Sequence, residues 1–514
     1  MRQCRVNSLH YSLKAAKLLS QPSLWSPASA TPRRIASFRT FADLKRPSTA
    51  PKPIIDIRHI RENPELYEQN CLDRNYVAQS KSPGRINELF AQWQTLQKDS
   101  RVLRERSNLL RRQIANPSSS RDDDDFVDIR KLKREELLEE ARLLKQKLSA
   151  VEQDEAKLVD EMESLALGLP NLTSEVTPVG EKPLLLSYIN EHPIEPASNS
   201  DKIWRSHVHI GSELGLLDFT GGGITSGWGW YYLLDEAAQL EQALIQYALA
   251  VATKHGWRQV APPSVVYSHI ASACGFQPRD QNDEQQIYTL AQSQDDAEKG
   301  KPQLCLAGTS EIPLAGMKAE ATLDISDLPM KRVAVSRCYR AEAGARGANT
   351  KGLYRVHEFT KVEMFAWTSP GADATTDVFE EILDIQTEIL GSLGLHCRVL
   401  EMPTADLGAS AIRKCDIEAF FPSRQQQNDG WGEVTSTSIC TDYQTRRLAT
   451  RAKIDGKLTF PWTVNGTALA IPRVLAAILE AGWDEKDMSV VIPVCLRPWM
   501  DGKEKIVRRA ASSM

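Results

Sequence analysis

A strand–loop–strand segment in the C-terminal half of the chain combines charged and aromatic residues in a pattern suited to an anionic, ring-bearing ligand. Strand alternation predicts that Arg340 and Glu342 share one side of a first strand, and that Phe359, Lys361 and Glu363 share one face of a second. A guanidinium suits bidentate phosphate binding, a phenylalanine ring stacks on a purine, and a carboxylate accepts from an amino group. The segment therefore predicts one pocket for a phosphorylated nucleotide, or, alternatively, a hairpin with solvated charges.

Other common site motifs are absent from the sequence. Neither G-x-x-x-x-G-K-[ST] nor a strand-linked G-x-G-x-x-G occurs, which argues against a Walker phosphate loop and a dinucleotide fold. The nine cysteines include no C-x-x-C pair, so neither a disulfide framework nor a thiolate zinc site is expected. His207 and His209, near a predicted strand, do not form a credible zinc pair. His357 is interpreted as a packing or hydrogen-bonding residue rather than a general base.

The elements that must position the pocket predict an α+β fold. A helix is expected over residues 239–252, because Leu240, Leu244, Tyr247 and Val251 fall on one face. Strands are predicted at 257–261, 303–308, 332–340, 359–367, 433–441 and 459–464. Many strands with few intervening helices indicate a largely antiparallel sheet.

Two long apolar seams precede this region, each with spacings that alternate between three and four residues. They consist of Ile86, Leu89, Trp93, Leu96, Ser100, Leu103, Ser107, Leu110 and Ile114, and of Leu137, Ala141, Leu144, Leu148, Val151, Glu155, Leu158, Met162 and Leu165. A polar turn separates them, so we predict an antiparallel helical hairpin with helices of about 45 Å. Its outgoing helix carries seven basic and three acidic residues. This excess predicts a phosphate-binding face, a protein-interaction coil or simply a solvated flank.

Charge is distributed unevenly along the 514 residues. The net charge is −4 and 41% of residues are hydrophobic, which excludes a wholly disordered or collagen-like chain. No apolar run approaches the roughly 20 residues of a membrane helix, so no membrane insertion is expected. Residues 1–42 contain seven basic residues, interleaved serines and no acidic residue. That composition predicts a mitochondrial or plastid transit peptide, with a basic tail as the alternative.

The strand–loop–strand segment resembles the second signature of class II aminoacyl-tRNA synthetases, specifically that of the seryl-tRNA synthetases. Further segments resemble other parts of that family: 308–311 its serine-contacting segment, 433–447 its ATP and metal segment, 465–473 the third class II signature, and 239–263 the first signature. The first signature lies at a dimer interface in this class. The resemblance extends from Ile60 to Pro498 and implies a class II catalytic domain with a mainly antiparallel sheet, plus an N-terminal antiparallel coiled-coil arm.

The resemblance also implies a role for each matching residue. The ATP-binding set would be Arg340, Glu342, Val356, Phe359, Glu433, Ser436 and Arg473, of which Arg340, Glu433 and Arg473 would be catalytic. Glu433 and Ser436 would also hold Mg²⁺. The serine-binding set would be Thr309, Glu311, Glu363, Asn465 and Thr467. Adenylate formation is an in-line attack by a carboxylate on the α-phosphorus, so the chemistry needs orientation and charge neutralisation rather than a covalent nucleophile.

These matches imply a domain plan and a function. The plan is a transit peptide at 1–42, a linker at 43–53, a tRNA-binding helical arm domain at 54–170, a linker at 171–200 and a catalytic domain at 201–514. The implied enzyme is a homodimer in the mitochondrial matrix that activates L-serine with ATP and transfers it to the 3′ end of tRNA(Ser). Two alternatives stay open: a synthetase-like paralogue that binds tRNA or protein without charging, and a coiled-coil scaffold.

Overall fold

The computed structural model describes residues 47, 50–115, 132–194, 204–276, 286–342 and 352–508. The predicted transit peptide at 1–42, most of the predicted linker at 43–53 and the polar turn between the seams lie outside the described residues. None of the helices in the described ranges is both long and apolar enough to cross a membrane.

The N-terminal part of the described chain is helical. It contains α1 (Ile57–Glu62), α2 (Pro64–Asp73), α3 (Ser82–Ala115) and α4 (Arg134–Leu167). Pro64 opens α2 at a position where the missing N–H costs no intrahelical bond. The remaining helices are α5 (His207–Glu213), α6 (Phe219–Ser226), α7 (Asp235–Lys254), α8 (Ser268–Ala273), α9 (Gln294–Glu298), α10 (Glu311–Gly316), α11 (Ala372–Ser392), α12 (Tyr443–Arg447) and α13 (Ile471–Ala481).

The two 34-residue helices α3 and α4 form the predicted antiparallel hairpin, called the arm below. Every predicted seam position is buried or half-buried, which confirms the heptad assignment. Ion pairs between Arg85 and Glu161 and between Arg106 and Glu140 show that the helices run in opposite directions. Ser100 is 1% exposed and donates to Glu155 of the facing helix, so a small polar residue occupies a close crossing in the seam.

An eight-stranded sheet dominates the rest of the structure. Its strands are β1 (Leu184–Ile189), β2 (Arg258–Val260), β3 (Met330–Tyr339), β4 (Glu358–Thr368), β5 (Cys397–Glu401), β6 (Arg413–Phe420), β7 (Trp431–Thr441) and β8 (Trp462–Ala470). The spatial order is β1-β5-β6-β7-β8-β4-β3-β2. Every neighbouring pair is antiparallel except β2 and β3, so the prediction of a mainly antiparallel sheet is confirmed.

The two faces of the central strand β4 have different environments. Val362 and Met364 belong to the main apolar core, together with residues of α7, α11 and α13. Phe359, Lys361 and Glu363 alternate with them and occupy the opposite face, as the sequence predicts. This alternation places polar side chains on one face of β4, while the other face packs in the apolar core.

Short strands complete the architecture in small sheets. They are Leu217–Asp218 with Tyr232–Leu233, Val265–Tyr267 with Leu304–Leu306, Thr322–Asp324 with Arg451–Ile454 and Lys457–Thr459, and Trp483–Asp484 with Ser489–Val491 and Lys505–Val507.

Three sequence predictions need adjustment. The predicted linker at 171–200 contains β1, an edge strand of the large sheet whose apolar residues are mostly exposed and so show no alternation. The predicted strand at 459–464 is divided, because β8 runs from Trp462 to Ala470. The predicted strand near His207 is wrong, since α5 begins at that residue. His207 lies 2.9 Å from the buried Glu480 carboxylate, and this pairing with a distant residue holds the histidine in the helix.

Candidate active site

All seven residues predicted to bind ATP line a single pocket. It lies between the ends of β3 and β4, the middle of β7 and the start of α13, and its lining includes Arg340, Glu342, Val356, Phe359, Glu433, Ser436 and Arg473. Tyr354, Arg355, Lys361, Thr435 and Thr467 also contribute. The pocket therefore joins segments that are more than 100 residues apart in sequence.

Arg340 and Phe359 form the side of the pocket built by β3 and β4. Arg340 follows directly after β3, and its backbone N–H donates to the His357 carbonyl at 2.9 Å. The Arg340 guanidinium carbon lies 5.3 Å from the centre of the Phe359 ring. His357 Nδ1 lies 2.9 Å from the Tyr288 hydroxyl, which confirms the interpretation of His357 as a hydrogen-bonding residue. A cation and an aromatic face are thus held side by side, as phosphate and base recognition require.

Glu342 occupies a strained position at the pocket edge. Its φ is 47°, in the left-handed region that non-glycine residues rarely adopt. Its carboxylate pairs with Arg355 at 2.7 Å, and its side chain is 13% exposed. Such conformations persist where the surroundings impose them, and they cluster at functional sites. The prediction that Arg340 and Glu342 share one side of a strand is therefore wrong, because β3 ends at Tyr339 and both residues lie beyond it.

Glu433 and Arg473 form the opposite side of the pocket. Arg473 Nη1 donates to the Glu433 carbonyl at 3.1 Å and lies 3.2 Å from the Glu433 carboxylate, whose side chain is 40% exposed. Burial opposes ionisation of Glu433, but the positive charges of Arg473, Lys414 and Arg340 outweigh it and hold the pKa of this carboxyl well below its usual range. A carboxylate whose charged form is favoured therefore faces the same space as two guanidinium groups.

A second, deeper group of polar residues surrounds Lys361. Lys361 Nζ lies 2.5 Å from the Glu363 carboxylate, and both side chains are less than 10% exposed. Thr467 donates to Glu363 at 3.1 Å, because β8 and β4 place these residues directly opposite each other. Of the predicted serine-binding residues, Thr467 lines the pocket and Glu363 is bonded to it.

Glu311 begins α10 beside this group and is 6% exposed. Gln444 Nε2 donates to its carboxylate at 2.6 Å, and its backbone N–H donates to the Thr309 hydroxyl at 3.4 Å. Burial and the charge of Glu363 raise the pKa of Glu311 to about 8, although Lys361 opposes the shift. The raised pKa favours the protonated form of Glu311 at neutral pH.

Asn465 is not among the residues that line the pocket. It lies within β8, opposite Ser438 of β7 and Phe365 of β4, and its Oδ1 accepts from the Cys440 thiol at 3.4 Å. The structure therefore links Asn465 to the end of β7. It does not place the Asn465 side chain beside Lys361.

Sequence reasoning gave no role to several residues that shape this site. Lys361 carried a signal, since it alternates between Phe359 and Glu363 on a strand. Gln444 carried none, because its partner Glu311 is distant in sequence and contacts it only through the fold. Lys414 bonds to Asp416 two residues along β6, but only the fold brings this pair near Glu433. Burial raises the pKa of Asp416, with the Glu433 charge acting in the same direction and Lys414 against both.

The pocket contains oxygen ligands for a hard cation but no complete protein cage. Within the described ranges, no group of three or more His, Cys, Asp and Glu side chains could hold a metal ion. Glu433 and Ser436 both line the pocket, three residues apart on β7. One carboxylate and one hydroxyl fit Mg²⁺, which takes few protein ligands and completes its shell with phosphate oxygens and water.

Comparison with known proteins agrees with this geometry. Residues 54–173 match the seryl-tRNA synthetase N-terminal domain, and residues 288–482 match the tRNA synthetase class II core domain of the G, H, P, S and T enzymes. The mitochondrial serine–tRNA ligase of Saccharomyces cerevisiae is 36% identical over 472 residues, which cover 91% of this chain and 99% of the relative. That of Mus musculus is 38% identical over 371 residues, 71% of this chain and 67% of the relative.

A solved structure shares both parts of the fold. The seryl-tRNA synthetase of Pyrococcus horikoshii, complexed with ATP, superposes with a TM-score of 0.75 and 31% identity, covering 89% of this chain and all of that one. The helical arm and the class II core thus occur together in the relatives as they do here. The chain belongs to the seryl-tRNA synthetase family of class II aminoacyl-tRNA synthetases.

Proposed function

We propose that this chain activates L-serine with ATP and transfers the seryl group to the 3′ end of tRNA(Ser) in the mitochondrial matrix. The observation that carries the proposal is the convergence of Arg340, Glu433 and Arg473, from three separate segments, on one pocket. The S. cerevisiae and M. musculus relatives are mitochondrial serine–tRNA ligases, which supports the compartment.

The first half-reaction needs a triphosphate and a carboxylate brought together despite their like charges. Arg340 would bind the α-phosphate, and Arg473 the γ-phosphate. Phe359 and Val356 form an apolar cluster with Cys338, where an adenine ring would stack. Glu433 and Ser436 would hold Mg²⁺, which supplies charge neutralisation between the phosphates when bound. Catalysis would then follow from orientation and preorganised positive charge.

The deeper group around Lys361 would select serine. Glu311 and Glu363 are carboxyl groups suited to an ammonium ion, and the raised pKa of Glu311 means that it would lose its proton as the ammonium binds. Thr467 and Thr309 would complete the contacts, with Asn465 acting through the end of β7. A site built to bind a hydroxyl rejects alanine, because its buried polar groups would otherwise stay unpaired.

The arm would bind tRNA by shape and backbone charge. Arg101, Arg111 and Arg112 are exposed on α3, where phosphates could approach. Side chains interact with A-form RNA mostly through phosphates and 2′-hydroxyls, which suits a long helical surface. The active form would be a homodimer, with the arm of one subunit serving the other active site. We place the arm domain at 54–170 and begin the catalytic domain before Leu184, since β1 belongs to its sheet.

Two measurements on the purified chain without residues 1–42 test the proposal. Serine-dependent ATP–pyrophosphate exchange with Mg²⁺ should be detected, with alanine and threonine as amino-acid controls. Labelled serine should then be transferred to total mitochondrial tRNA. Folded protein without exchange would contradict the enzyme, whereas exchange without transfer to any tRNA would favour the non-charging paralogue.

A further inference from the structure

Two buried arginines lie where the arm meets the catalytic domain. Arg74, at the end of α2, is 1% exposed, and Arg447, at the end of α12, is 8% exposed. Buried arginines usually pair with carboxylates. Here the hydrogen-bond acceptors are main-chain carbonyls: those of Asn171 and Gly408 for Arg74, and those of Tyr443, Leu167 and Leu169 for Arg447.

Each arginine belongs to one of the two domains and hydrogen-bonds to the other. Arg74 belongs to the helical region and reaches Gly408, in the segment that leads into β6. Arg447 belongs to the catalytic domain and reaches Leu167 and Leu169, where α4 ends, at 3.2 and 3.5 Å. A guanidinium has five donors in a fixed plane, so each arginine bonds two or more carbonyls at once. Each contact therefore fixes an angle as well as a distance between the two domains.

Asn171 reinforces the same junction from the chain that leaves the arm. Its side-chain amide donates to the carbonyls of Ser410 and Cys440, at 3.0 and 2.9 Å. Its own carbonyl accepts from Asn70 of α2 at 3.1 Å as well as from Arg74. Residue 171 was predicted to start a linker, yet it is tied to both domains. The junction is consequently a network of buried hydrogen bonds rather than a flexible hinge.

Helix α12 connects this junction to the deeper end of the active site. Gln444, three residues before Arg447, donates to the Glu311 carboxylate at 2.6 Å. The backbone N–H of Ile54, at the start of the arm domain, donates to the carbonyl of Arg446 in the same helix at 2.9 Å. One short helix thus contacts the arm domain and also holds a predicted serine-binding carboxyl.

We propose that Arg74 and Arg447 are positioning residues that set the direction of the arm relative to the active site. Neither lines the pocket, so their effect is on where a tRNA bound to the arm delivers its 3′ end. Because the network is buried and its acceptors are carbonyls, salt screens it little. The inference rests on the proposed binding of tRNA by the arm.

The test compares Arg74→Lys, Arg447→Lys and, as a matched control, Arg85→Lys, whose arginine pairs with exposed carboxylates within the arm. Lysine keeps the charge but has no planar fork. Arg74→Lys should reduce kcat/KM for tRNA at least 10-fold while pyrophosphate exchange stays within 2-fold. Arg447→Lys should show the same loss and also raise the KM for serine several-fold, through Gln444. Arg85→Lys should leave both assays within 2-fold.

Small-angle X-ray scattering of the same variants measures how widely the arm direction varies, independently of enzyme activity. A wider distribution of arm directions is expected for Arg74→Lys and not for Arg85→Lys. Asn70→Ala removes one bond to the same Asn171 carbonyl and two bonds from Thr173, and it should show a change in the same direction. This variant replaces Arg74→Lys in the test if Arg74→Lys does not fold. Normal charging and unchanged scattering for Arg74→Lys and Asn70→Ala would overturn the inference. Failure of wild-type exchange would instead contradict the proposed function, and scattering would still test the junction.

Discussion

The arm and the pocket both contain pairs of basic and acidic side chains, but these pairs are exposed on the arm and buried in the pocket. On the arm, Arg85 and Arg101 pair with carboxylates three or four residues away or on the facing helix, and their side chains are 43% and 80% exposed. In the pocket, Lys361 and Glu363 are 8% and 1% exposed and belong to one strand face. Exposed pairs contribute little to stability, whereas buried charges must be fully partnered to persist. Burial, more than residue type, therefore decides what a charge does in this protein.

Deletion of most of the arm should have the largest effect, and it should affect tRNA charging without affecting amino-acid activation. The variant lacks residues 101–154, and a short glycine linker joins Ser100 to Glu155. This linker can be short because the two side chains already lie 3.3 Å apart. Transfer of serine to tRNA should fall at least 1,000-fold, because many phosphate contacts disappear together. Pyrophosphate exchange should stay within about 3-fold. A parallel loss of exchange would show that the pocket depends on the arm, contrary to this prediction.

A substitution in the pocket should have the next largest effect. Arg340→Ala removes the guanidinium beside Phe359, and exchange should fall about 1,000-fold, as for loss of one preorganised charge in a closed site. The matched control is Arg337→Ala, three residues earlier and within β3, where the side chain is 51% exposed, and exchange should change less than about 3-fold. Equal losses for both variants would indicate damage to the strand. Circular dichroism checks that each variant is folded.

The pH dependence of stability distinguishes buried from exposed carboxyls. The pKa of Glu311 is raised to about 8 in the folded protein, against an ordinary value near 4.5 in the unfolded chain. Its contribution to stability is therefore fully present below pH 4.5 and is lost as the pH rises to 8. Glu311→Gln should remove that loss, so the variant should gain on the order of 3 kcal/mol relative to wild type between pH 5 and pH 8.

Urea unfolding at several pH values, followed by tryptophan fluorescence, measures this difference. The control is Glu88→Gln, whose glutamate is 66% exposed on the arm, and its stability should stay close to that of wild type because exposed pairs contribute little. If the Glu311→Gln and wild-type stabilities run parallel with pH, then Glu311 ionises normally and the two regions treat carboxyls alike.

The smallest effect is expected for an exposed pair. Arg85→Ala removes contacts with Glu88 and Glu161, and backbone protection in the arm should change less than about 3-fold, because exposed pairs are screened by solvent. Hydrogen exchange of the α3 backbone amides, in low and high salt, measures the change. A much larger loss of protection that disappears in high salt would show that the arm depends on its charged pairs rather than on the apolar seam.

Local periodicity made much of the architecture predictable. The arm follows from spacings of three and four residues, and all its seam positions are buried or half-buried because helices repeat every 3.6 residues. The face of β4 that carries Phe359, Lys361 and Glu363 follows from strand alternation in the same way. Edge strand β1 escaped prediction because both its faces are largely exposed, so alternation was missing.

The amino-acid sequence by itself determined the long helices of the arm, most strands of the large sheet, the apolar side of each, and the family pattern that they match. Only the tertiary structure decided that Arg340, Glu433 and Arg473 share a pocket, that burial raises the pKa of Glu311, and that Arg74 bonds to the Gly408 carbonyl of the adjoining domain. The reason is the sequence distance between the residues that determine each property. Helix and strand patterns depend on neighbours a few residues apart, whereas burial and electrostatic environment depend on residues brought together by the fold.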